Sequence, residues 1–128
     1  MTHRFECRVY YEDTDLAGIV YYANYLRYIE RARTEWVRAL GIDQMRLRDE
    51  TGIVFAVRRV EADYLSPARF DDVLTVVTTV EAVRGARIVL GQDVRRGETR
   101  LFSARVTLAA LTATGRPGRL PEALRSLG

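Results

Sequence analysis

The sequence predicts an α+β fold in which one antiparallel sheet packs against one long helix. Apolar residues recur with the helical period in a single long segment, residues 23–40. Five other segments show the alternation, or the valine, isoleucine and threonine content, that is typical of strands. Glycine and proline lie between these segments, where turns are expected. Because a helix with one apolar stripe must bury that stripe, we expect it to lie across the sheet.

The chain is predicted to begin with a strand and to continue into the long helix. Residues 4–11 alternate apolar with polar side chains, which is the period of a half-buried strand. A helix over residues 23–40 would be about 27 Å long, enough to cross the face of a small sheet. Gly41 is suited to end it. The predicted apolar stripe of the helix comprises Tyr25, Ile29, Ala32, Trp36 and Leu40.

The remaining chain is predicted to form a short helix, four strands and a tail. The short helix covers residues 43–51 and is followed by Gly52. The tail from about residue 112 is rich in glycine and proline, and we expect it to be extended. Without repeats or linkers, residues 1–128 are predicted to form a single domain. The four strands are predicted at residues 54–65, 73–83, 86–95 and 100–111.

Composition excludes several classes of protein. Apolar residues make up 48% and charged residues 29%, as in an ordinary globular protein. We expect no membrane-spanning segment and, with one cysteine and no secretion signal, a cytoplasmic location. All 20 basic residues are arginine, and many lie beside acidic residues. This indicates a mixed solvated surface, and we predict no nucleic-acid binding because exposed aromatics are not interleaved with the arginines.

An acidic stretch just before the long helix is the candidate site. A carboxylate there lies close to the unpaired amides and the positive dipole end of the helix. Asp15 could attack or activate water while the helix end stabilises an oxyanion, or it could simply shape the turn that enters the helix. We predict no metal, because Glu12, Asp13 and Asp15 lack the spacing of a calcium loop and His3 is the single histidine.

Two segments of the sequence carry a resemblance to a known family. Residues 13–25, Asp-Thr-Asp-Leu-Ala-Gly-Ile-Val-Tyr-Tyr-Ala-Asn-Tyr, are followed by Glu-Arg-Ala-Arg-Thr-Glu at 30–35. Residues 64–72, Tyr-Leu-Ser-Pro-Ala-Arg-Phe-Asp-Asp, form the second segment. Together they resemble the hotdog-fold acyl-CoA thioesterases. The Tol-Pal-associated and the 4-hydroxybenzoyl-CoA thioesterases are the closest groups in pattern.

The resemblance implies a fold, an assembly and an activity. It implies a curved antiparallel sheet of about five strands wrapped around one long central helix. Dimers with a continuous sheet, and commonly homotetramers built as dimers of dimers, would place active sites at subunit interfaces. The reaction would hydrolyse an acyl-CoA to a carboxylic acid and free CoA, without a cofactor. The alternative is a noncatalytic acyl-CoA-binding or envelope-associated interaction protein on the same fold.

The resemblance also assigns roles to residues. Asp15 would be the catalytic carboxylate, as nucleophile or general base, and the helix start near Tyr22 and Ala23 would polarise the thioester carbonyl. We predict loop-shaping roles for Asp13 and for Gly18, which can take a positive φ.

Tyr22 departs from one group of relatives. Many Tol-Pal-associated members have histidine at this position, whereas the 4-hydroxybenzoyl-CoA enzymes have tyrosine. A tyrosine with a reference pKa near about 10 is a poor base at neutral pH but can donate a hydrogen bond. The likeness to the 4-hydroxybenzoyl-CoA enzymes at this position favours an aromatic acyl group, but neighbouring loop residues would also shape the pocket and the acyl group stays open. The alternative is that Tyr22 only packs at the pocket mouth.

Arginines are the candidate ligands for the phosphates of CoA. Arg84 and Arg87 match the place of a basic cluster in the 4-hydroxybenzoyl-CoA enzymes, although Gly85 and Ala86 replace part of that cluster. Arg59 is a further candidate, beside Arg58 on a predicted strand. The alternative for these side chains is solubilisation of the surface or pairing between subunits.

Overall fold

The computed structural model describes residues 2–128, which form one five-stranded antiparallel sheet and three α-helices. The strand order in the sheet is β1-β3-β4-β5-β2, so that β1 and β2 are the edge strands. The predicted α+β fold is confirmed, with the sheet curved around the long helix. The elements are β1 (Thr2–Arg8), α1 (Asn24–Ala39), α2 (Gln44–Thr51), β2 (Val54–Tyr64), β3 (Val73–Arg84), β4 (Arg87–Arg96), β5 (Thr99–Leu111) and α3 (Glu122–Arg125).

Helix α1 is held on the sheet by the apolar stripe that its sequence contains. Ile29 and Trp36 are each 1% exposed, and Ala32 is fully buried between them. Full burial of one large apolar side chain contributes roughly 1.5–3 kcal/mol, so this stripe fixes the helix across the inner face of the sheet. The helix ends where Gly41 takes a left-handed φ of 83°.

A buried polar cluster lies between α1 and the adjacent strands β3 and β4. The side-chain amide of Gln92 donates to the carbonyl of Ile29 at 2.9 Å and to the Thr78 hydroxyl at 3.0 Å. Its oxygen accepts a hydrogen bond from Arg33 at 3.0 Å. Burial lowers the pKa of Arg33 from its ordinary value, against the opposing effect of Glu30. Since buried polar groups must be paired, this cluster fixes the register of α1 on the sheet.

The edge strand β2 is only partly covered. Val57 and Val60 face the same side of the sheet as the buried residues Val106 and Leu108 with which they pair. They are nevertheless 48% and 40% exposed. Helix α1 packs against β1, β3 and β4, on the side of the sheet away from β2. An apolar strip and one free backbone edge therefore remain on β2.

Two predictions of local structure were wrong in part, the end of the first strand and the conformation of the tail. Strand β1 ends at Arg8, and Tyr11–Asp13 form a turn of 3₁₀ helix because the Tyr10 amide donates to the Asp13 carboxylate. The tail is not extended throughout, since it ends in helix α3. Leu120 and Leu124 are each 1% exposed in the core, and Pro121 stands before the first helical residue. The glycines and prolines of the tail led to the prediction of an extended segment, so the burial of these two leucines was not predicted.

The three helices differ greatly in length, and α1 is the longest at 16 residues. Within residues 2–128, no helix has both the length and the apolar character that crossing a bilayer requires.

Candidate functional site

A cavity of about 360 Å³ lies at the start of α1. Its lining comes from two stretches of chain, residues 15–25 and residues 64–67, and is mainly aromatic and aliphatic. Asp15 is the one carboxylate residue in this lining. The cavity therefore combines an apolar wall with a single acidic group, as a site for a largely apolar group attached to a reactive carbonyl would.

Asp15 is held in a tight turn that its own side chain helps to form. The Ala17 amide donates to Oδ1 of Asp15, and the Gly18 amide donates to its carbonyl, both at 2.9 Å. Gly18 adopts a φ of 79°, where glycine alone avoids a steric penalty. Among residues 2–128, no group donates a hydrogen bond to the second carboxylate oxygen of Asp15. One oxygen thus serves the turn, and the other is available for chemistry.

Asp13 joins the two ends of the loop that carries Asp15. Its carboxylate accepts a hydrogen bond from the Tyr10 amide at 2.8 Å. Its carbonyl accepts from the Tyr21 amide and from the Asn24 side chain, each at 2.9 Å. The loop-shaping roles of Asp13 and Gly18 remain predictions, and these contacts support them. Across residues 2–128, no three metal-ligating side chains converge.

The start of α1 is left open. Ala23 occupies the N-cap position, and no side chain caps the helix. In the part of the chain from Thr2 onward, neither the Tyr22 amide nor the Ala23 amide donates to a protein acceptor. Tyr22 lines the cavity with Asp15, whereas Ala23 is the next residue along the chain and does not contribute to the lining. Two unpaired amides at the positive end of a helix are thus available to a developing oxyanion.

Aromatic side chains form the wall beside these amides. The Tyr22 ring lies 4.9 Å from the Tyr21 ring and 6.2 Å, edge-on, from the Tyr64 ring. Tyr64 in turn contacts Tyr25 and Phe102 edge-on. The Tyr64 hydroxyl donates to the Tyr22 carbonyl at 2.9 Å. The sequence placed Tyr25 in the helix stripe and Tyr64 in a motif, but it gave no sign that the two rings meet.

The segment that follows β2 closes the cavity and carries a second aspartate. Val20 donates its amide to the carbonyl of Ala68, and the Ala68 amide donates to the Tyr25 hydroxyl, both at 2.9 Å. Asp72 holds this segment, since its carboxylate accepts from the Arg69 amide and from Arg96, both at 2.8 Å. Partial burial raises the pKa of Asp72, but these hydrogen bonds outweigh it and lower the pKa overall.

The structure does not bring the three candidate CoA-binding arginines to Asp15 within one chain. Arg84 and Arg87 face each other in the β3–β4 hairpin, and Arg87 pairs with Ala109. Tyr64, at the cavity, pairs with Phe102 of the same strand β5. The hairpin and the cavity are therefore roughly 24 Å apart along β5. Arg59 pairs with Thr107 on the outer face and lies 3.3 Å from Glu61.

A larger hollow of about 530 Å³ lies on the outer face of the sheet. Several of its charged side chains lie in ion pairs, with Arg105 3.1 Å from Glu81 and Arg95 3.2 Å from Asp93. It is formed by strand residues far from the loop of Asp15. The smaller cavity is the candidate site because it combines a carboxylate that has one free oxygen with an apolar wall at the start of a helix.

Comparison with known proteins gives concordant matches. A family model described as the thioesterase superfamily matches residues 17–103. The acyl-CoA thioesterase YbgC of Haemophilus influenzae is 44% identical over 107 residues, which are 84% of this chain and 79% of that protein. These matches confirm the resemblance seen in the sequence.

Solved structures agree with the fold. A probable thioesterase from Bartonella henselae is 37% identical with a TM-score of 0.90 and covers 94% of this chain and 100% of its own. A 4-hydroxybenzoyl-CoA thioesterase variant in complex with 4-hydroxybenzoyl-CoA has a TM-score of 0.90 at 24% identity. It covers 98% of this chain and 97% of its own. At that identity the likeness concerns the fold alone.

Proposed function

Because this chain belongs to the thioesterase superfamily, we propose that it hydrolyses acyl-CoA to a carboxylic acid and free CoA. The observation that carries the proposal is the meeting of Asp15 with the uncapped start of α1 at one apolar cavity. The name of the Haemophilus influenzae relative supports CoA as the thiol.

The chemistry needs an attacking oxygen and stabilisation of an oxyanion. In one route, the free oxygen of Asp15 attacks the carbonyl carbon, the C–S bond breaks and the CoA thiolate leaves. Water then hydrolyses the acyl anhydride and restores the Asp15 carboxylate. In the other route, Asp15 takes a proton from the water that attacks. In both, the amides of Tyr22 and Ala23 hold the negative oxygen, and a thiolate needs no general acid to leave.

The cavity wall favours an uncharged, aromatic acyl group. Tyrosines at positions 21, 22, 25 and 64 line it, and their rings already meet at angles that suit further aromatic contacts. Apart from Asp15, the lining has no ionised side chain that would recognise a charged acyl chain. A higher kcat/KM for benzoyl-type than for straight-chain acyl-CoAs of similar size would support this preference, and the reverse order would contradict it.

The exposed edge of β2 supports a dimer with a continuous sheet. Antiparallel pairing of two β2 strands would cover Val57 and Val60 and use the free backbone edge. It would also bring the partner's hairpin end alongside the Asp15 end of this chain. Arg84 and Arg87 would then reach CoA bound at the neighbouring site, and two such dimers would form the homotetramer.

The reaction requires no metal or cofactor beyond the CoA of the substrate. A lone cysteine, Cys7, is consistent with a reducing compartment, and we place the activity in the cytoplasm.

Thiol release from a panel of acyl-CoAs tests the proposal. Asp15→Asn keeps the oxygen that accepts from Ala17, so the fold should be retained. We expect it to lower kcat by roughly 100-fold or more, because the nucleophile or base is lost. If no acyl-CoA is cleaved, or if the Asp15→Asn variant cleaves as fast as the wild type, the catalytic proposal fails and a noncatalytic acyl-CoA-binding role replaces it.

A further inference from the structure

One side-chain hydrogen bond acts on the peptide unit that precedes α1. The Tyr64 hydroxyl, at the end of β2, donates to the carbonyl oxygen of Tyr22 at 2.9 Å. That carbonyl and the amide of Ala23 belong to one planar peptide group, and the chain from Thr2 onward has no cis peptide bond. A contact that fixes the Tyr22 carbonyl therefore also fixes the direction of the Ala23 N–H.

The neighbouring peptide unit is fixed by the main chain. The Asn24 amide donates to the Tyr21 carbonyl at 2.8 Å, and this orients the unit that carries the Tyr22 N–H. Each of the two peptides with unpaired amides is thus held through its carbonyl. The first is held by backbone alone, whereas the second is held by the side chain of Tyr64.

Tyr64 is 48% exposed, but two other rings pack against its ring. It meets the rings of Tyr25 and Phe102 edge-on at 5.5 and 5.0 Å, and Phe102 is fully buried. The hydroxyl of Tyr25 is in turn anchored by the Ala68 amide. Burial, followed by the neighbouring Tyr22 and Tyr25, raises the pKa of Tyr64 above its ordinary value. Its hydroxyl therefore keeps its proton throughout the neutral range and remains a donor.

We propose that Tyr64 is a positioning residue that acts through the Tyr22 carbonyl to preset and polarise the peptide amide of the oxyanion site. This inference rests on the proposed thioesterase function. A hydrogen bond to a carbonyl strengthens the N–H of the same peptide as a donor. A donor that is already oriented stabilises the transition state without reorganisation. Tyr64 would thereby contribute to turnover without contacting the reacting atoms.

Tyr64→Phe removes the hydroxyl and keeps the ring, and Tyr11→Phe is the matched control. The Tyr11 ring also meets another ring edge-on, that of Phe70, but it lies outside the cavity. We expect Tyr64→Phe to lower kcat by about 10-fold, with KM changed less than twofold, because one hydrogen bond to the site is lost. Tyr11→Phe should leave both constants unchanged. An unchanged kcat in Tyr64→Phe, or a change confined to KM, would overturn the positioning role.

A second readout needs no substrate. In ¹H–¹⁵N spectra, Tyr64→Phe should shift the Ala23 amide more than the Tyr22 amide, since Asn24 holds the latter unit. Equal or absent shifts would overturn the proposal, whatever the activity. Wild-type protein that releases no thiol from any acyl-CoA would defeat the thioesterase function, while the amide shifts would still decide the role of Tyr64. Thermal unfolding of each variant verifies that the fold is retained.

Discussion

The helices α1 and α2 begin in opposite ways, although an aspartate stands before each. Asp43 caps α2, where its carboxylate accepts a hydrogen bond from the Arg46 amide at 3.1 Å. Asp15 caps nothing in α1, which starts at Ala23 without a side-chain cap. It lies instead in a separate turn, with one carboxylate oxygen free. Asp43 thus caps its own helix. Asp15 does not cap α1, and among residues 2–128 the amides of Tyr22 and Ala23 have no protein acceptor.

This difference separates stability from chemistry. A capped helix start contributes about 1 kcal/mol to folding, and the carboxylate that caps it is occupied by an amide of the first turn. The start of α1 forgoes that contribution, and among residues 2–128 one carboxylate oxygen of Asp15 and the amides of Tyr22 and Ala23 have no protein partner. The contrast predicts that a substitution at the start of α1 changes turnover, whereas a substitution at the start of α2 changes stability.

The largest effect should come from placing a charge at the open helix start. Ala23→Asp adds a negative charge beside the amides that would hold the oxyanion. We expect the carboxylate to repel the developing charge and lower kcat by roughly 100-fold, from about 3 kcal/mol of repulsion at close range. The melting temperature should stay equal or rise, because a negative charge favours a helix N-terminus. Thiol release and thermal unfolding measure the two effects.

Ala23→Asn is the matched neutral control, since it has the same shape without the charge. It should retain most of the turnover. Equal turnover in the Ala23→Asp and Ala23→Asn variants would show that no negative charge develops near these amides during the reaction, contrary to the proposed role of the helix start.

The fold could be predicted from sequence because its signals are periodic and local. The stripe that includes Ile29 and Trp36 has the period of a helix, and the strands β3, β4 and β5 lie close to their predicted bounds. Helix α3 was missed because it has only four residues, too few for a period to show. Its burial depends on contacts of Leu120 and Leu124 with distant parts of the chain.

The site was predictable only in part. The position of Asp15 before the helix suggested a carboxylate beside free amides, and the structure has both. The contact between Tyr64 and Tyr22 joins residues 42 positions apart, so no local pattern contains it. Arg84 and Arg87 were assigned by analogy with one stretch of sequence, which does not reveal which end of the sheet a hairpin occupies. Their proposed role depends on the proposed second chain.

The capped helix should show the opposite response. Asp43→Ala removes the cap of α2, and we expect the free energy of unfolding to fall by about 1 kcal/mol. Turnover should not change, because α2 contributes nothing to the cavity of Asp15. Urea unfolding and thiol release on the same preparation make the comparison. A loss of turnover without a loss of stability would contradict the separation of the two helix starts.

The smallest predicted effect concerns Asp72, whose carboxylate, like that of Asp43, accepts hydrogen bonds from its own protein. Its pKa is lowered in the folded protein, so its contribution to stability is present above its ordinary pKa of about 4 and is lost as the pH falls through the folded value.

The bonds of Asp72 to Arg69 and Arg96 are partly exposed, and we expect Asp72→Asn to lower the free energy of unfolding by less than about 1 kcal/mol at pH 7. The cost should shrink as the pH falls below about 4, because the carboxyl of the unfolded wild type then becomes protonated and the stabilisation by the folded-state charge is lost. Urea midpoints of both proteins at pH 7 and pH 3 measure this, with Asp63→Asn as control, because Asp63 is exposed and its side chain has no partner among residues 2–128. A difference that grows on acidification would contradict the assigned direction of the pKa shift.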